Sequence, residues 1–171
     1  MPDKLFFELD LEKRNRIIEA SLSEFARERY DLASTNSIIK NAGISKGSLF
    51  KYFNSKEELY FYILDLIIAE FAEDTKAEIS NLSGDIFEII IKFAEIEFLW
   101  HIKNQDKYRI LKKAFSDEES DIYKKAIGRY KLTADSMYYS IFENCDLKNL
   151  RWNKEKTLDI MKWIVEGFNN E

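Results

Sequence analysis

Proline, glycine, cysteine and histidine are nearly missing from this chain of 171 residues. One proline and five glycines leave few places for turns, which argues for long helices over many short strands. The one cysteine, Cys145, excludes a disulfide framework and fits a reducing cytoplasm. The one histidine, His101, has no cysteine cluster beside it and so makes no metal site. No Ser-His-Asp arrangement, Gly-rich phosphate loop or acid/base pair of carboxylates stands out, so no enzyme, metal or cofactor is expected. Long apolar runs are missing too. Asp65 interrupts Ile63–Ile68 and Glu70 follows it, too soon for a membrane span. The opening Met1-Pro2-Asp3-Lys4 is polar and Leu5-Phe6-Phe7 is too short for a signal h-region.

What is present is a large apolar fraction, 46 %, enough at this length for a sizeable core or for a small head on a larger body. Acids exceed bases, giving a net charge of −5, which by itself argues against nucleic acid. The distribution argues otherwise. Residues 1–56 hold ten Lys/Arg and eight Asp/Glu, a balance of +2, and residues 57–171 hold sixteen and twenty-three, a balance of −7. Leu32–Lys56 contains four lysines and no acid. That asymmetry suggests a basic head on an acidic body.

Apolar spacing predicts an all-α chain. A first helix spans about Leu11–Arg29, with Ile18, Leu22 and Phe25 on one face and Ile17 and Ala26 beside them. Ser34 or Thr35 caps a second, which ends at Asn41-Ala42-Gly43. Ser45 caps a third over about Lys46–Tyr52, and Ser55-Lys56-Glu57-Glu58 is a capping box that opens a long fourth helix to about Ile79. Further helices are predicted over about 85–102, 104–115, from a second capping box at Ser116 to about Phe142, and 154–168. The last is apolar on two sides, which suits a helix packed on its own core and on a partner copy through Ile160, Trp163, Ile164 and Phe168.

Short helix, Ala-Gly turn, short helix is the spacing of a helix-turn-helix. Gly43 permits the sharp turn. The third helix, about 12 Å long, matches a major groove about 12 Å wide, and Gly47 lets its backbone come close to DNA.

Here the sequence resembles the tetracycline-repressor (TetR/AcrR) family of transcriptional regulators. The resemblance rests on Ile17-Ile18, Ala20, Phe25, Tyr30, Thr35, Ile38, Ala42-Gly43-Ile44-Ser45, Gly47, Leu49-Phe50-Lys51-Tyr52-Phe53 and Lys56-Glu57-Glu58-Leu59. These cover roughly residues 12–60. Three positions depart from the family pattern. Arg29 stands where a glycine is usual, Ile39 where alanine is usual, and Phe50 where tyrosine is frequent, which removes a hydroxyl that commonly reaches phosphate.

The resemblance implies a helix-turn-helix DNA-binding domain over 1–55 and a helical ligand-binding and dimerisation domain over 56–171. It implies a cytoplasmic homodimer on a palindromic double-stranded operator, repressing transcription until a small-molecule inducer binds; members often carry one more helix, used in dimerisation. DNA contact is expected from Thr35, Ser45, Lys46, Gly47, Ser48, Phe50, Lys51, Tyr52 and Lys56, with Lys56 on phosphate. Phe98, Trp100, Tyr123 and Tyr130 are the expected pocket residues, since apolar cavities with a few polar tips suit small ligands. The rival reading is a helical protein–protein interaction module that binds no DNA.

Overall fold

A computed structural model describes residues 1–146 and 152–169, with side chains in the last stretch through Trp163. The described residues form nine helices: α1 (Lys4–Phe7), α2 (Leu11–Arg27), α3 (Thr35–Ala42), α4 (Lys46–Tyr52), α5 (Lys56–Ser80), α6 (Ile86–Lys103), α7 (Gln105–Ala114), α8 (Asp121–Ile141) and α9 (Lys154–Asn169). The expected all-α class holds. No described helix is long and apolar enough to cross a membrane.

Short-range chemistry sets most helix starts. Asp10 accepts from the Lys13 amide at 2.8 Å and Ser34 from the Ser37 amide at 3.4 Å. Ser45 accepts from the Ser48 amide at 3.1 Å and Ser55 from the Glu58 amide at 3.1 Å. Each side-chain oxygen satisfies an amide with no partner inside its helix. Glu58 closes the predicted box one residue early, accepting from the Asn54 amide at 2.7 Å. The second predicted box is not used. Ser120, not Ser116, caps α8: its Oγ accepts from the Tyr123 amide at 3.1 Å while its hydroxyl donates to the Asp117 carbonyl at 2.9 Å.

Contacts divide the chain into two compact units, 1–73 with 103–126, and 74–102 with 127–171. In the first, α2 packs on α3 and α7, α1 on α4, and α3 on α4. Its fully buried side chains include Phe6, Ile17, Phe25, Ile38, Leu49, Phe53, Leu59, Ile63 and Leu64. The buried face of α2 is rotated from the expected one. Ile17, Ala20, Ser21, Glu24, Phe25 and Ala26 are buried, whereas Ile18 and Leu22 are half-buried. Hydrophobicity alone misplaces the stripe because two polar residues lie in it.

The second unit has its own core of Leu82, Ile86, Ile89, Ile141, Phe142 and Leu158, with Phe93, Tyr138, Cys145 and Met161 packed against it. Burial raises the pKa of the Cys145 thiol. The segments around Gly84 and Cys145 meet in a single bridge, where the Asp146 amide donates to the Gly84 carbonyl at 2.8 Å. On α6 only Ile86, Ile89 and Trp100 are buried, and Phe87, Ile91, Phe98, Leu99 and Ile102 are exposed.

Candidate nucleic-acid interface

The turn between α3 and α4 follows from one glycine. Gly43 has φ 65° and ψ 38°, the left-handed region that a side chain disfavours. Its amide donates to the Lys40 carbonyl at 3.3 Å and the Ile44 amide to the Ile39 carbonyl at 3.2 Å. These are the two bonds of a Schellman ending. Ala42 and Ile38 are buried under the turn, and Leu49 comes in from α4.

On α4 the helical period separates two faces. Leu49 and Tyr52 turn inward. Lys46, Gly47, Phe50 and Lys51 turn outward, with Phe50 40 % exposed. The Ser45 and Ser48 hydroxyls lie 2.8 Å apart at the start of the helix, and Thr35 is half-buried in the first turn of α3. A Cβ built at Gly47 meets nothing nearer than Ser45 Oγ at 4.0 Å. The chain's own packing therefore has no use for the missing side chain. Lys40, Lys46 and Lys51 are exposed, and among the described residues none hydrogen-bonds or ion-pairs with their ammonium groups.

Lys56 differs from the other lysines. It is half-buried, and its Nζ donates to the carbonyls of Tyr30 at 2.7 Å, Ala33 at 3.1 Å and Asp31 at 3.2 Å. The same ammonium lies 4.6 Å from the centroid of the Tyr30 ring.

Three supports of this face were missed in the sequence. Glu24, 2 % exposed, accepts from the Ser34 amide at 2.8 Å and from Arg27 at 2.5 Å, which pins the cap of α3 to α2. Its signal was available, since it lies seven residues after Ile17, on the same face. Phe6 on α1 is wholly buried, with ring centroids 4.9 Å from Phe53, 5.4 Å from Tyr62 and 6.0 Å from Tyr52. The Asp3 amide donates to the Tyr52 carbonyl at 2.9 Å, holding the end of α4. Finally, Lys113 on α7 donates to the Ala26 carbonyl at 2.6 Å, and Arg29 pairs with Asp117. Burial lowers the pKa of Lys113.

The expected pocket residues have different surroundings. Trp100 is buried and its indole donates to Asp74 at 3.0 Å. Tyr130 is buried beside the Arg129 guanidinium, 5.7 Å from its ring centroid. Tyr123 is half-buried, and Phe98 is 63 % exposed. A cleft of about 750 Å³ in the second unit is lined instead by Tyr139, Ser140, Glu143, Lys154, Glu155 and Leu158. On α9, Leu158 is buried, Ile160 is half-buried and Trp163 is 76 % exposed. The side chains of Ile164 and Phe168 lie outside the described residues.

Residues 17–63 match the sequence profile of the bacterial regulatory proteins, tetR family. An HTH-type transcriptional regulator of Staphylococcus aureus strain USA300 is 30 % identical over 122 residues, covering 66 % of this chain and 65 % of that one. A second, from strain bovine RF122 / ET3-1, is 27 % identical over 123 residues, covering 66 % of each chain. The chain thus matches just under two thirds of the length of these relatives. Among solved structures, a TetR family transcriptional regulator from Chloroflexus aurantiacus J-10-FL superposes with a TM-score of 0.62 at 22 % identity, covering 96 % of this chain and 89 % of that one. The fatty acid degradation regulator FadR from Bacillus halodurans gives 0.66 at 15 %, covering 91 % and 84 %. The helix-turn-helix and its left-handed glycine lie inside the matched profile, so residues 17–63 carry the DNA-binding region characteristic of the tetR family of bacterial regulatory proteins.

Proposed function

We propose that the protein is a homodimeric, ligand-responsive repressor of transcription that reads a palindromic operator through α4. The outward face of that helix carries this reading: two exposed ammonium groups, a glycine with open space around it and no acid. Lysines neutralise phosphate, the open backbone at Gly47 admits close approach, and the exposed Phe50 ring suits a thymine methyl. Ser45, Ser48 and Thr35 add hydroxyl donors beside the helix starts, and the Tyr52 ring supports α4 from below. Residues 1–55 carry the DNA-reading surface, on a compact unit that also takes in 56–73 and 103–126, and the remainder of 56–171 serves regulation.

Pairing of two copies through the α9 face that carries Trp163 supplies the two-fold symmetry a palindrome requires. An inducer in the aromatic body, near Trp100 and Tyr130, that prefers one position of α5 lowers operator affinity by its differential binding to the two states.

Selection from random duplex DNA with the purified chain tests this. Recovery of a palindrome with half-sites about 34–36 Å apart is expected. Recovery of unrelated sequences, with no salt-sensitive retention, would leave the interaction-module reading in its place.

Gly47→Ala separates folding from binding. Alanine is favoured over glycine inside a helix by about 1 kcal/mol and meets no obstacle here. The DNA-free variant should be as stable as the parent or more so in urea titration. Its operator affinity should fall about tenfold, the equivalent of about 1.4 kcal/mol. Unchanged affinity would place the DNA backbone away from Gly47.

A further inference from the structure

Lys56 is the first residue of α5, where the helix dipole disfavours a cation. Something must compensate, and phosphate would serve. The fold already supplies a partner set. An ammonium has three N–H donors, and the carbonyls of Tyr30, Asp31 and Ala33 all lie within hydrogen-bond reach, at 2.7–3.2 Å. The Tyr30 ring, 4.6 Å away, adds a cation–π face. A phosphate contact would have to displace one of these carbonyls.

The loop that Lys56 holds is the one that aims α3. Leu32 and Ala33 amides donate to the Arg29 carbonyl at 3.0 and 2.9 Å. Ser34, the next residue, caps α3 and donates its own amide to Glu24. Tyr60, one turn along α5, packs its ring 5.0 Å from Tyr30 and 4.9 Å from Phe25. The loop is therefore fastened to α2 by a carboxylate and to α5 by an ammonium and a ring.

We infer that Lys56 is a positioning residue: it locks the start of α5 to the α2–α3 loop, and so sets the aim of the helix-turn-helix without touching DNA. Any displacement of the start of α5 pulls on residues 30–33 through this ammonium. The inference goes beyond the DNA-binding reading, and only its affinity arm rests on that reading.

The test compares the parent with Lys56→Met, which keeps the stem and removes the donors, and Lys56→Arg, whose planar fork cannot converge on three carbonyls as an ammonium does. Amide hydrogen exchange is read on the DNA-free protein. Affinity for the selected operator and for a random duplex is read across a salt series. Lys56→Met should speed exchange at Leu32, Ala33 and Ser34 about tenfold or more, as expected when a local opening becomes easier. Lys56→Arg should speed it less. The operator-to-random affinity ratio should fall about tenfold in Lys56→Met, with the salt slope on the random duplex unchanged. Unaltered exchange in both variants would overturn the inference. So would a slope reduced by about 0.9 per protomer in Lys56→Met, the mark of a lost phosphate contact. If Lys56→Met does not fold, the Lys56→Arg arm decides by the same two readings: a phosphate ligand tolerates arginine, and this clasp does not. If the parent retains no duplex at all, the DNA-binding reading fails while the exchange arm still decides this one.

Discussion

Raising salt from 50 to 200 mM should weaken operator binding about a thousandfold. Three lysines per protomer, Lys40, Lys46 and Lys51, are exposed with no described partner for their ammonium groups. A dimer then brings about six ammonium groups to phosphate, and each neutralised phosphate contributes about −0.9 to the slope of log affinity against log salt, giving about −5. Over a fourfold change in salt, that slope amounts to about three decades. Lys56 is left out of the sum because its donors are committed to carbonyls. A slope nearer −7 would mean that Lys56 contacts phosphate after all, since it adds two charges per dimer. A slope near zero would remove the DNA-binding reading, because lysines that neutralise phosphate must release counterions. Fluorescence anisotropy of a labelled duplex across the salt series provides the measurement.

Phe6→Ala should destabilise the first compact unit by about 3–5 kcal/mol, the usual cost of removing a fully buried aromatic ring. The ring is wholly buried and is shared among Phe53, Tyr62 and Tyr52, so its removal leaves a cavity bounded by three large side chains that cannot all collapse into it. Against a total stability of about 5–15 kcal/mol, the loss is large, and the melting midpoint should drop on the order of 10 °C. Phe7→Ala is the control, since Phe7 is exposed and its removal should cost well under 1 kcal/mol. The loss should also reach function. The α1 segment holds the end of α4 through the Asp3 amide and the Tyr52 carbonyl, so operator affinity should fall beyond what the unfolded fraction explains. A midpoint within 2 °C of the parent would show that α1 is not part of the folded head in solution.

The helix-turn-helix was legible in the sequence because its signals are local and agree. Ser34, Gly43 and Ser45 each act on amides or carbonyls within five residues, and α4 falls on the predicted Lys46–Tyr52. What failed was long-range or ambiguous. Phe6 is buried by residues about fifty positions away, and no periodicity surrounds it to reveal that. The clasp made by Lys56 is invisible because its acceptors are backbone carbonyls, which every residue carries and no sequence displays. Glu24 reads as solvated polar face until its phase with Ile17 is noticed. At 116–120 two hydroxyls compete for one helix start, and the turn from Asp117 to Ser120 decides between them. Along α6 apolar residues lie on nearly all sides, so no period marks which face is covered, and Phe98 and Trp100, two residues apart, meet opposite fates. The outward lysines of α4 were legible for the same reason as the turn: they share a helix short enough for its inward face to be fixed by Leu49 and Tyr52.

The first compact unit is not a continuous stretch of chain. It needs α7 as well as α1–α4, because Lys113 closes the end of α2 and Arg29 finds Asp117. A cut after residue 55 would strip Phe25 of Tyr60 and leave the α2–α3 loop without Lys56. A single crossover at the start of α5 would therefore part residues 1–55 from contacts that complete their own compact unit. An exchange that keeps this unit whole must carry residues 1–73 and 103–126 together, two inserts separated by a foreign segment.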